Sequence, residues 1–275
     1  MRNNKLLALA ISLSLFTFNS KADCNLIPSN NLHVTESSEE GITEKEFTDV
    51  LNEFEKVMSP IVKKEGYKLQ INRKWSDDTV NANTTTSGDK WVINAFGGLA
   101  RYSGMDADAF MMVMCHELGH HMGGVPAQGW ASNEGQSDYY ATSKCYRRMS
   151  YSKVKALQVP SVVSEKCSAL HKSQEEINIC EKGSMIGFTL ASVLNSLSGA
   201  SKALDFNTPD KTEVSKINNA HPKAQCRLDT YFAGAVCGIH YTEEFAKDNP
   251  IQGACAEEKG DKIGVRPHCW YKPQN

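Results

Sequence analysis

Residues 115–124 read C-H-E-L-G-H-H-M-G-G, and this stretch constrains the fold more than any other part of the chain. His116 and His120 are four residues apart, so on an α-helix both imidazoles project from one face and can bind one zinc ion. Glu117 lies one step around the helix, within reach of a metal-activated water but not of the metal. The chain must therefore place this segment on a helix and bring a third ligand to it from elsewhere.

The flanking sequence supports a helix over residues 107–122. Asp106 can cap its N-terminus, and Gly123-Gly124 can end it. An apolar stripe with the spacing i, i+4, i+7 and i+11 runs along the face opposite the histidines: Met111, Cys115, Leu118 and Met122. We therefore expect Cys115 to be a buried free thiol that faces the core. His121 lies about 100° around the helix from its neighbour, so we expect it beside the site or on the surface.

A catalytic zinc site needs three protein ligands and one open position. In the pattern H-E-x-x-H-x-x-G-x-x-H the third histidine would fall at residue 126, which is a proline. The segment S-N-E-G-Q-S-D at 132–138 offers Glu134 instead, in the first turn of a following helix, where the helix dipole favours a carboxylate. Asp138 is one turn further on the same face and can accept the free ring N–H of a ligand histidine. The alternative is that both are ordinary first-turn acids on a solvated helix.

The rest of the chain predicts a small sheet followed by helices. Thr43-x-x-Glu46 has the form of a capping box that opens a long amphipathic helix. Short strands are expected at residues 67–71, 79–82 and 91–95. After residue 105 helices predominate, with loops that carry most of the late cysteines. We expect an α+β fold, mainly helical with a small antiparallel sheet, in a single domain over residues 23–275.

The first 22 residues resemble a secretory signal peptide. Arg2 and Lys5 precede an uncharged apolar run over residues 6–18, which is too short to span a bilayer, and Ser20-Lys21-Ala22 is similar to a cleavage site. A membrane anchor is the alternative. The formal net charge of −2 provides no basic footprint for nucleic acid. We expect export to the periplasm or out of the cell, with no membrane span after cleavage.

Nine cysteines in an exported chain indicate disulfide bonds. With Cys115 set aside, the other eight can form four bonds, and the sequence does not decide among the many pairings. Local loops are the simplest expectation: Cys167 with Cys180, Cys226 with Cys237, and Cys255 with Cys269. A structural zinc site built from cysteines is less favoured, because no C-x-x-C pair occurs.

H-E-L-G-H followed by E-x-x-x-D resembles the gluzincin zinc metallopeptidases. The chain is most similar to the HtpX-type family, which includes the CAAX prenyl proteases and soluble periplasmic quality-control proteases. The resemblance covers about residues 43–236 and is most specific at 116–138. It implies a zincin-like fold and one Zn²⁺ per chain, held by His116, His120 and Glu134, with Glu117 as the general base.

Two further segments carry the resemblance. H-P-K-A-Q-C-R at 221–227 resembles the family's H-P-x-x-x-x-R, which implies that His221 and Arg227 approach the active site, to bind an oxyanion or to order Glu134. The alternative for His221 is an ordinary helix start before a proline. The strand before the metal helix is similar to the family's edge strand, along which an extended substrate would bind. Its residues are Trp91, Val92, Ile93, Asn94 and Ala95.

These features predict a zinc endopeptidase of the cell envelope that hydrolyses extended or unfolded polypeptides, including misfolded envelope proteins. Glu117 would take a proton from a zinc-activated water and deliver it to the leaving amine. Two other functions remain open: an exported chaperone that holds zinc without proteolysis, and an amidase that hydrolyses a cell-wall peptide bond. Glu117 argues against the first, because a purely structural zinc site has no use for it.

Overall fold

The structure is a computed structural model that describes residues 24–38, 40–150 and 158–273. The predicted signal peptide at residues 1–22 lies outside the described residues. Among the helices of the described parts, none combines the length and the apolar character that crossing a membrane requires.

Four strands form one sheet in the spatial order β1-β3-β4-β2. They are β1 (Cys24–Asn25), β2 (Lys68–Lys74), β3 (Ala82–Ser87) and β4 (Lys90–Phe96). β3 is antiparallel to both β1 and β4, whereas β2 and β4 are parallel. The sheet is therefore mixed, and the prediction of an antiparallel sheet was wrong. A second small sheet pairs β5 (Ala127–Gln128) with β6 (Ala131–Ser132).

The predicted edge strand is an interior strand. β4 pairs with β2 on one side and with β3 on the other, so both of its main-chain edges are occupied. The sequence W-V-I-N-A-F already carried a signal of this, since it is apolar on both faces, as strands covered on both sides tend to be. Trp91, Val92, Ile93, Asn94 and Ala95 thus have no free edge with which to pair a substrate, and that prediction was wrong.

Helices make up most of the remaining regular structure, which confirms the α+β class. In chain order they are α1 (Glu44–Lys64), α2 (Gly97–Ala100), α3 (Ala107–Met122), α4 (Glu134–Tyr140), a π-helical turn (Ala141–Cys145), α5 (Tyr146–Ser150), α6 (Ser161–Leu170), α7 (Gln174–Leu197) and α8 (Ala224–Val236), followed by a 3₁₀ turn (Glu257–Lys259). Thr43 and Glu46 form the predicted capping box at the start of α1.

α3 is the central element of the core. Asp106 caps it by accepting the backbone N–H of Ala109 at 2.7 Å, and every residue over 109–122 is buried. It packs against α1, α4 and α7 and against the inner face of the sheet at β3 and β4. A helix that is buried on all sides can hold polar side chains only where other groups satisfy them, which directs attention to its histidines and glutamate.

Four disulfides join eight of the cysteines: Cys115–Cys145, Cys167–Cys180, Cys226–Cys269 and Cys237–Cys255. The Cys167–Cys180 prediction is confirmed, and the other two predicted pairs were wrong. The C-terminal segment folds back onto α8, where the indole N–H of Trp270 donates to Thr230 Oγ1 at 2.9 Å, and this brings Cys269 to Cys226.

The prediction that Cys115 is a free thiol was also wrong. Its side chain does face the core, as the apolar stripe indicates, but the π-helical turn brings the buried Cys145 to the same place. The stripe specified the direction of the side chain, and only the fold could supply its partner.

Candidate metal centre

Two helices and the segment between them build the site. α3 carries His116 and His120, which are 0% and 1% exposed, and α4 begins with Glu134. Asn133 caps α4, since its side-chain oxygen accepts the backbone N–H of Gln136 at 2.9 Å. The N-terminus of α4 thus points Glu134 at the histidine-bearing face of α3, where the helix dipole favours its ionised form.

A glycine of the H-E-L-G-H motif allows the two helices to approach closely. A Cβ added to Gly119 would lie 2.9 Å from the Cα and from the carbonyl oxygen of Ser137 in α4, so any larger side chain would push the helices apart. Sequence reasoning assigned this residue no role. Its position between the two histidines was the available signal.

Three predicted ligands converge. Glu134 Oε2 lies 3.3 Å from His116 Nε2, and Glu134 Oε1 lies 3.6 Å from His120 Nε2. One ligand atom from each of the three residues lies within 4.8 Å of the others. Two atoms that each bind one zinc at the usual bond length, at a tetrahedral angle, are about 3.3 Å apart. The spacing therefore matches what one small cation would require.

The hydrogen bonding of these atoms provides an independent test of a metal. His116 Nε2, His120 Nε2 and Glu134 Oε2 are buried and have no hydrogen-bond partner. Buried polar atoms of folded proteins are nearly always satisfied, so unsatisfied atoms that face one another call for a group between them. Two imidazoles and one carboxylate are a donor set of catalytic zinc sites.

The other ring nitrogens are held by hydrogen bonds that set the tautomers. His116 Nδ1 lies 2.7 Å from Asp138 Oδ1, and His120 Nδ1 lies 2.8 Å from the carbonyl oxygen of Ser132. Because these oxygens are acceptors, each Nδ1 carries the proton of the neutral imidazole, which leaves each Nε2 lone pair for a metal. Asp138 is thus where the sequence placed it, while the Ser132 carbonyl is a main-chain partner that residue types could not reveal.

Arg227 reaches the site through Asp138. Its Nε donates to Asp138 Oδ2 at 2.8 Å and its Nη2 donates to Asp138 Oδ1 at 2.7 Å, in a buried bidentate pair. Its Nη1 donates to the carbonyl oxygen of Leu26 at 2.8 Å. The guanidinium therefore orients the carboxylate that orients His116.

The charges around His116 favour a cation. Burial opposes the charged form of His116, but Asp138 and then Glu134 outweigh it and raise its pKa to about 9. Burial opposes the ionised form of Asp138, but Arg227 and then His116 outweigh it and hold the pKa of this carboxyl well below its ordinary value. For His120, burial dominates and lowers the pKa to about 4. Positive charge is thus stabilised at His116, between Asp138 and Glu134, and disfavoured at His120.

Glu117 is a buried acid that lies next to His116 on α3. Its side chain is 0% exposed, and neither carboxylate oxygen has a hydrogen-bond partner. Burial raises its pKa to about 8, with His116 opposing the shift. A raised pKa brings the gain and loss of a proton by this carboxyl into the range near neutral pH, where an exposed glutamate stays ionised.

His221 lies at the border of the site, just before α8. Its Nε2 is 3.5 Å from Glu134 Oε1 and 2.7 Å from the carbonyl oxygen of Asn25, and its side chain is 27% exposed. It is thus one of the predicted residues that the fold brings next to Glu134 across a long sequence separation.

His121 takes no part in the centre. Its ring lies between those of Trp91 and Trp130, with centroids 4.7 and 4.8 Å away, and its Nε2 lies 2.8 Å from Thr84 Oγ1. Burial lowers its pKa to about 3, so it is neutral. The helical angle correctly separated it from the ligands, but it is buried in an aromatic stack and not at the surface.

Comparisons of the chain with protein-family models, with curated proteins and with solved structures found no match.

Proposed function

We propose that the protein is a zinc-dependent endopeptidase that hydrolyses extended or unfolded polypeptides after export. The observation that carries the proposal is the convergence of His116, His120 and Glu134 at the spacing of a single ion, with the unpartnered carboxylate of Glu117 one residue along the same helix. Four disulfides are consistent with an oxidising compartment.

One zinc ion would be held by His116 Nε2, His120 Nε2 and Glu134. When bound, zinc would polarise the peptide carbonyl and lower the pKa of water toward roughly 7. Asp138 and the Ser132 carbonyl keep the two imidazoles in the tautomer that a metal needs. Arg227 holds Asp138 in place for that task.

The proton transfers fall to Glu117. Its carboxylate takes a proton from the attacking water and passes it to the amine that leaves, so the peptide bond breaks without a free hydroxide or amide anion. The imidazole of His221 would donate a hydrogen bond to the oxygen of the tetrahedral intermediate. Its distance of 3.5 Å from Glu134 Oε1 puts it beside the ligand set and not within it.

β3 replaces β4 as the strand on which a substrate would lie. β3 pairs with β4 on one side, and on the other side its register with β1 covers only Asn83 and Thr84. A groove of about 1090 Å³ lies beside the site, and its lining includes His221, Arg227 and the apolar Leu194 and Leu197. An extended chain paired on β3 gains main-chain hydrogen bonds that do not depend on its sequence, which suits unfolded substrates.

The decisive experiment replaces Glu117 by glutamine. We expect Glu117→Gln to bind zinc as the wild type does and to lose about 10²–10⁴-fold in the rate of cleavage of an unfolded, fluorescently labelled protein, because the proton acceptor is gone. Zinc content is measured by mass spectrometry of the metal and cleavage by fluorescence. Glu181→Gln, the same change at a buried glutamate of α7, serves as the control and should cleave normally.

The result also separates the two other functions. A zinc-loaded wild type that cleaves no polypeptide but prevents its aggregation would refute the endopeptidase and support a chaperone. Hydrolysis of cell-wall peptides alone, abolished by Glu117→Gln, would support the amidase. Cleavage by Glu117→Gln at the wild-type rate would refute the role of Glu117.

A further inference from the structure

The candidate site is closed. Glu117 and His116 are 0% exposed and Glu134 is 6% exposed, so no polypeptide can reach them in this conformation. Residues 24–26, which we call the N-terminal segment, lie beside this centre. Their backbone contacts both His221 and Arg227, and β1 packs against α3.

The main chain of the N-terminal segment has the pairing of a bound strand. Cys24 and Asn25 are antiparallel to β3, and the backbone N–H of Leu26 continues the pairing by donating to the Ala82 carbonyl at 3.0 Å. The N–H of Leu26 and the C=O of Asn25 belong to one planar trans peptide and point in opposite directions. The Asn25 carbonyl therefore points away from the sheet.

The Asn25 carbonyl is hydrogen-bonded to His221, the side chain proposed to bind the substrate oxygen. The Asn25 oxygen lies 2.7 Å from His221 Nε2, while the same nitrogen lies 3.5 Å from Glu134 Oε1. A substrate strand that replaced the N-terminal segment on β3 would place a carbonyl where the Asn25 carbonyl now lies. We infer that residues 24–26 fill the substrate position of the proposed peptidase as a built-in inhibitory strand, which must leave β3 before a polypeptide can bind. The inference rests on the proposed function.

Three further kinds of contact must break for the N-terminal segment to leave: its pairing with β3, the burial of Leu26 in the core, and the hydrogen bond from Arg227 to the Leu26 carbonyl. The pairing with β3 is short. The amide side chain of Asn81, just before β3, also hydrogen-bonds to both backbone groups of Ile27, the residue that follows the N-terminal segment. Asn81 Oδ1 accepts the backbone N–H of Ile27 at 3.3 Å, and Asn81 Nδ2 donates to the Ile27 carbonyl at 3.1 Å. Among the described residues, the side-chain hydrogen bonds of Asn81 go to the backbones of Ile27 and Ala82 and to no proposed catalytic or metal-binding residue, so it offers a way to loosen the strand without altering the chemistry.

The first test removes the hydrogen bonds between Asn81 and Ile27. We expect Asn81→Ala to increase the affinity of the zinc-loaded protein for a short peptide hydroxamate, and to raise the rate of polypeptide cleavage, because a larger fraction of molecules has an open β3. Asn72→Ala is the matched control: its amide lies on β2, at the opposite edge of the same sheet from β1, and bonds to Gln70 and Asn94. Affinity is measured by calorimetry.

The second test fixes the strand in place. Asn25 and Asn83 face each other as a non-hydrogen-bonded antiparallel pair, since the adjacent Leu26 is the hydrogen-bonded one. Such pairs have Cα atoms about 4.5 Å apart, within the range of about 4.4–6.8 Å that a disulfide spans. Asn25→Cys with Asn83→Cys should therefore cross-link β1 to β3. Cys24→Ser is included to prevent exchange, and the control carries serine at all three positions.

The cross-linked variant should bind the hydroxamate about 10-fold more weakly than its serine control, or worse, at equal zinc content. Equal affinity of the two would overturn the inference, even if Asn81→Ala does not fold. Hydroxamate binding requires the metal but no turnover. Absence of Glu117-dependent cleavage in the wild type and in every variant would therefore refute the proposed function. The comparison of hydroxamate affinity between the cross-linked and control proteins would still decide whether the N-terminal segment blocks the site.

Discussion

Asp138 is the residue on which most of the site's polar contacts depend. One of its oxygens accepts from His116 Nδ1, and both accept from Arg227, in a place where none of the three is accessible to water. A carboxylate so placed fixes the ring orientation of a metal ligand and raises its basicity. Replacing Asp138 should therefore weaken metal binding, although Asp138 is not itself one of the proposed ligands.

We expect Asp138→Asn to weaken zinc binding by about 10–100-fold, the usual effect of losing such a partner. The amide can still accept the His116 proton, but the negative charge that stabilises a cation at the centre is lost. A competitive titration against a chelator of known affinity measures the change, on protein shown to be folded by circular dichroism. Asp108→Asn, in the first turn of α3, is the control, and an equal affinity in Asp138→Asn and wild type would contradict the role.

The sequence specified the side chains of the site better than its backbone. The spacing of His116, Glu117 and His120 and the first-turn position of Glu134 follow from helical geometry, so they could be read without coordinates. The Ser132 carbonyl that holds His120 and the close approach at Gly119 are properties of two backbones packed together. Every residue has a main-chain carbonyl, so the residue types do not show which carbonyl contacts His120. These contacts could be found only from the fold.

The helices α3 and α4 are held together by more than the proposed metal ligands. The π-helical turn directly continues α4 and carries Cys145, whose disulfide to Cys115 lies on the face of α3 opposite the histidines. The periodicity of α3 predicted which face Cys115 occupies. It could not predict a partner from an irregular turn 30 residues away, because π-helical geometry has no simple sequence pattern.

The π-helical turn also buries a lysine. Lys144 is 0% exposed, its Nζ donates to the carbonyl oxygen of His240 at 3.2 Å, and burial lowers its pKa from 10.5 to about 7. Below pH 7 the lysine is charged in both the folded and the unfolded chain, so the folded state bears the full cost of burying the charge. Between pH 7 and 10.5 only the unfolded chain keeps the proton, and the stability of the wild type therefore rises with pH.

Lys144→Met should remove this cost. We expect the free energy of unfolding to increase by roughly 1–3 kcal/mol at pH 6, as when other buried charges give way to apolar groups, and the gain to shrink as the pH rises through 7 toward 10.5. Urea denaturation at pH 6 and pH 9 provides the measurement, with the exposed Lys63→Met as control. A gain that is equal at the two pH values would show that the charge of Lys144 is not its cause.

At the scale of the molecule, the C-terminal segment supports α4, the helix that carries the proposed metal ligand Glu134. A Cβ on Gly135 of α4 would lie 2.2 Å from the ring of Trp270, and Arg266 Nη1 donates to Gln136 Oε1 at 3.1 Å. The sequence predicted an α+β class from its periodicities, but it offered no function for the residues after 237. Their role depends on contacts across more than 100 residues, which local patterns do not encode.

Because the ligands come from two helices at the centre of the core, zinc binding should stabilise the entire fold. At a free zinc concentration about 100 times the Kd, a ligand that binds only the folded chain stabilises it by about 2.7 kcal/mol. For a chain of this size that corresponds to an increase in Tm of roughly 5–11 °C. Differential scanning calorimetry of the metal-free and zinc-loaded protein measures it.

The same measurement distinguishes a variant of a proposed metal ligand from a variant of the proposed general base. Glu134→Gln keeps the shape of the side chain but weakens its bond to a metal, so zinc should raise its Tm far less than that of the wild type. Glu117→Gln lacks no ligand and should retain the full increase, although it has lost cleavage. An equal increase in the two variants would show that Glu134 does not hold the ion, and the assignment of His116, His120 and Glu134 as one metal centre would then be wrong.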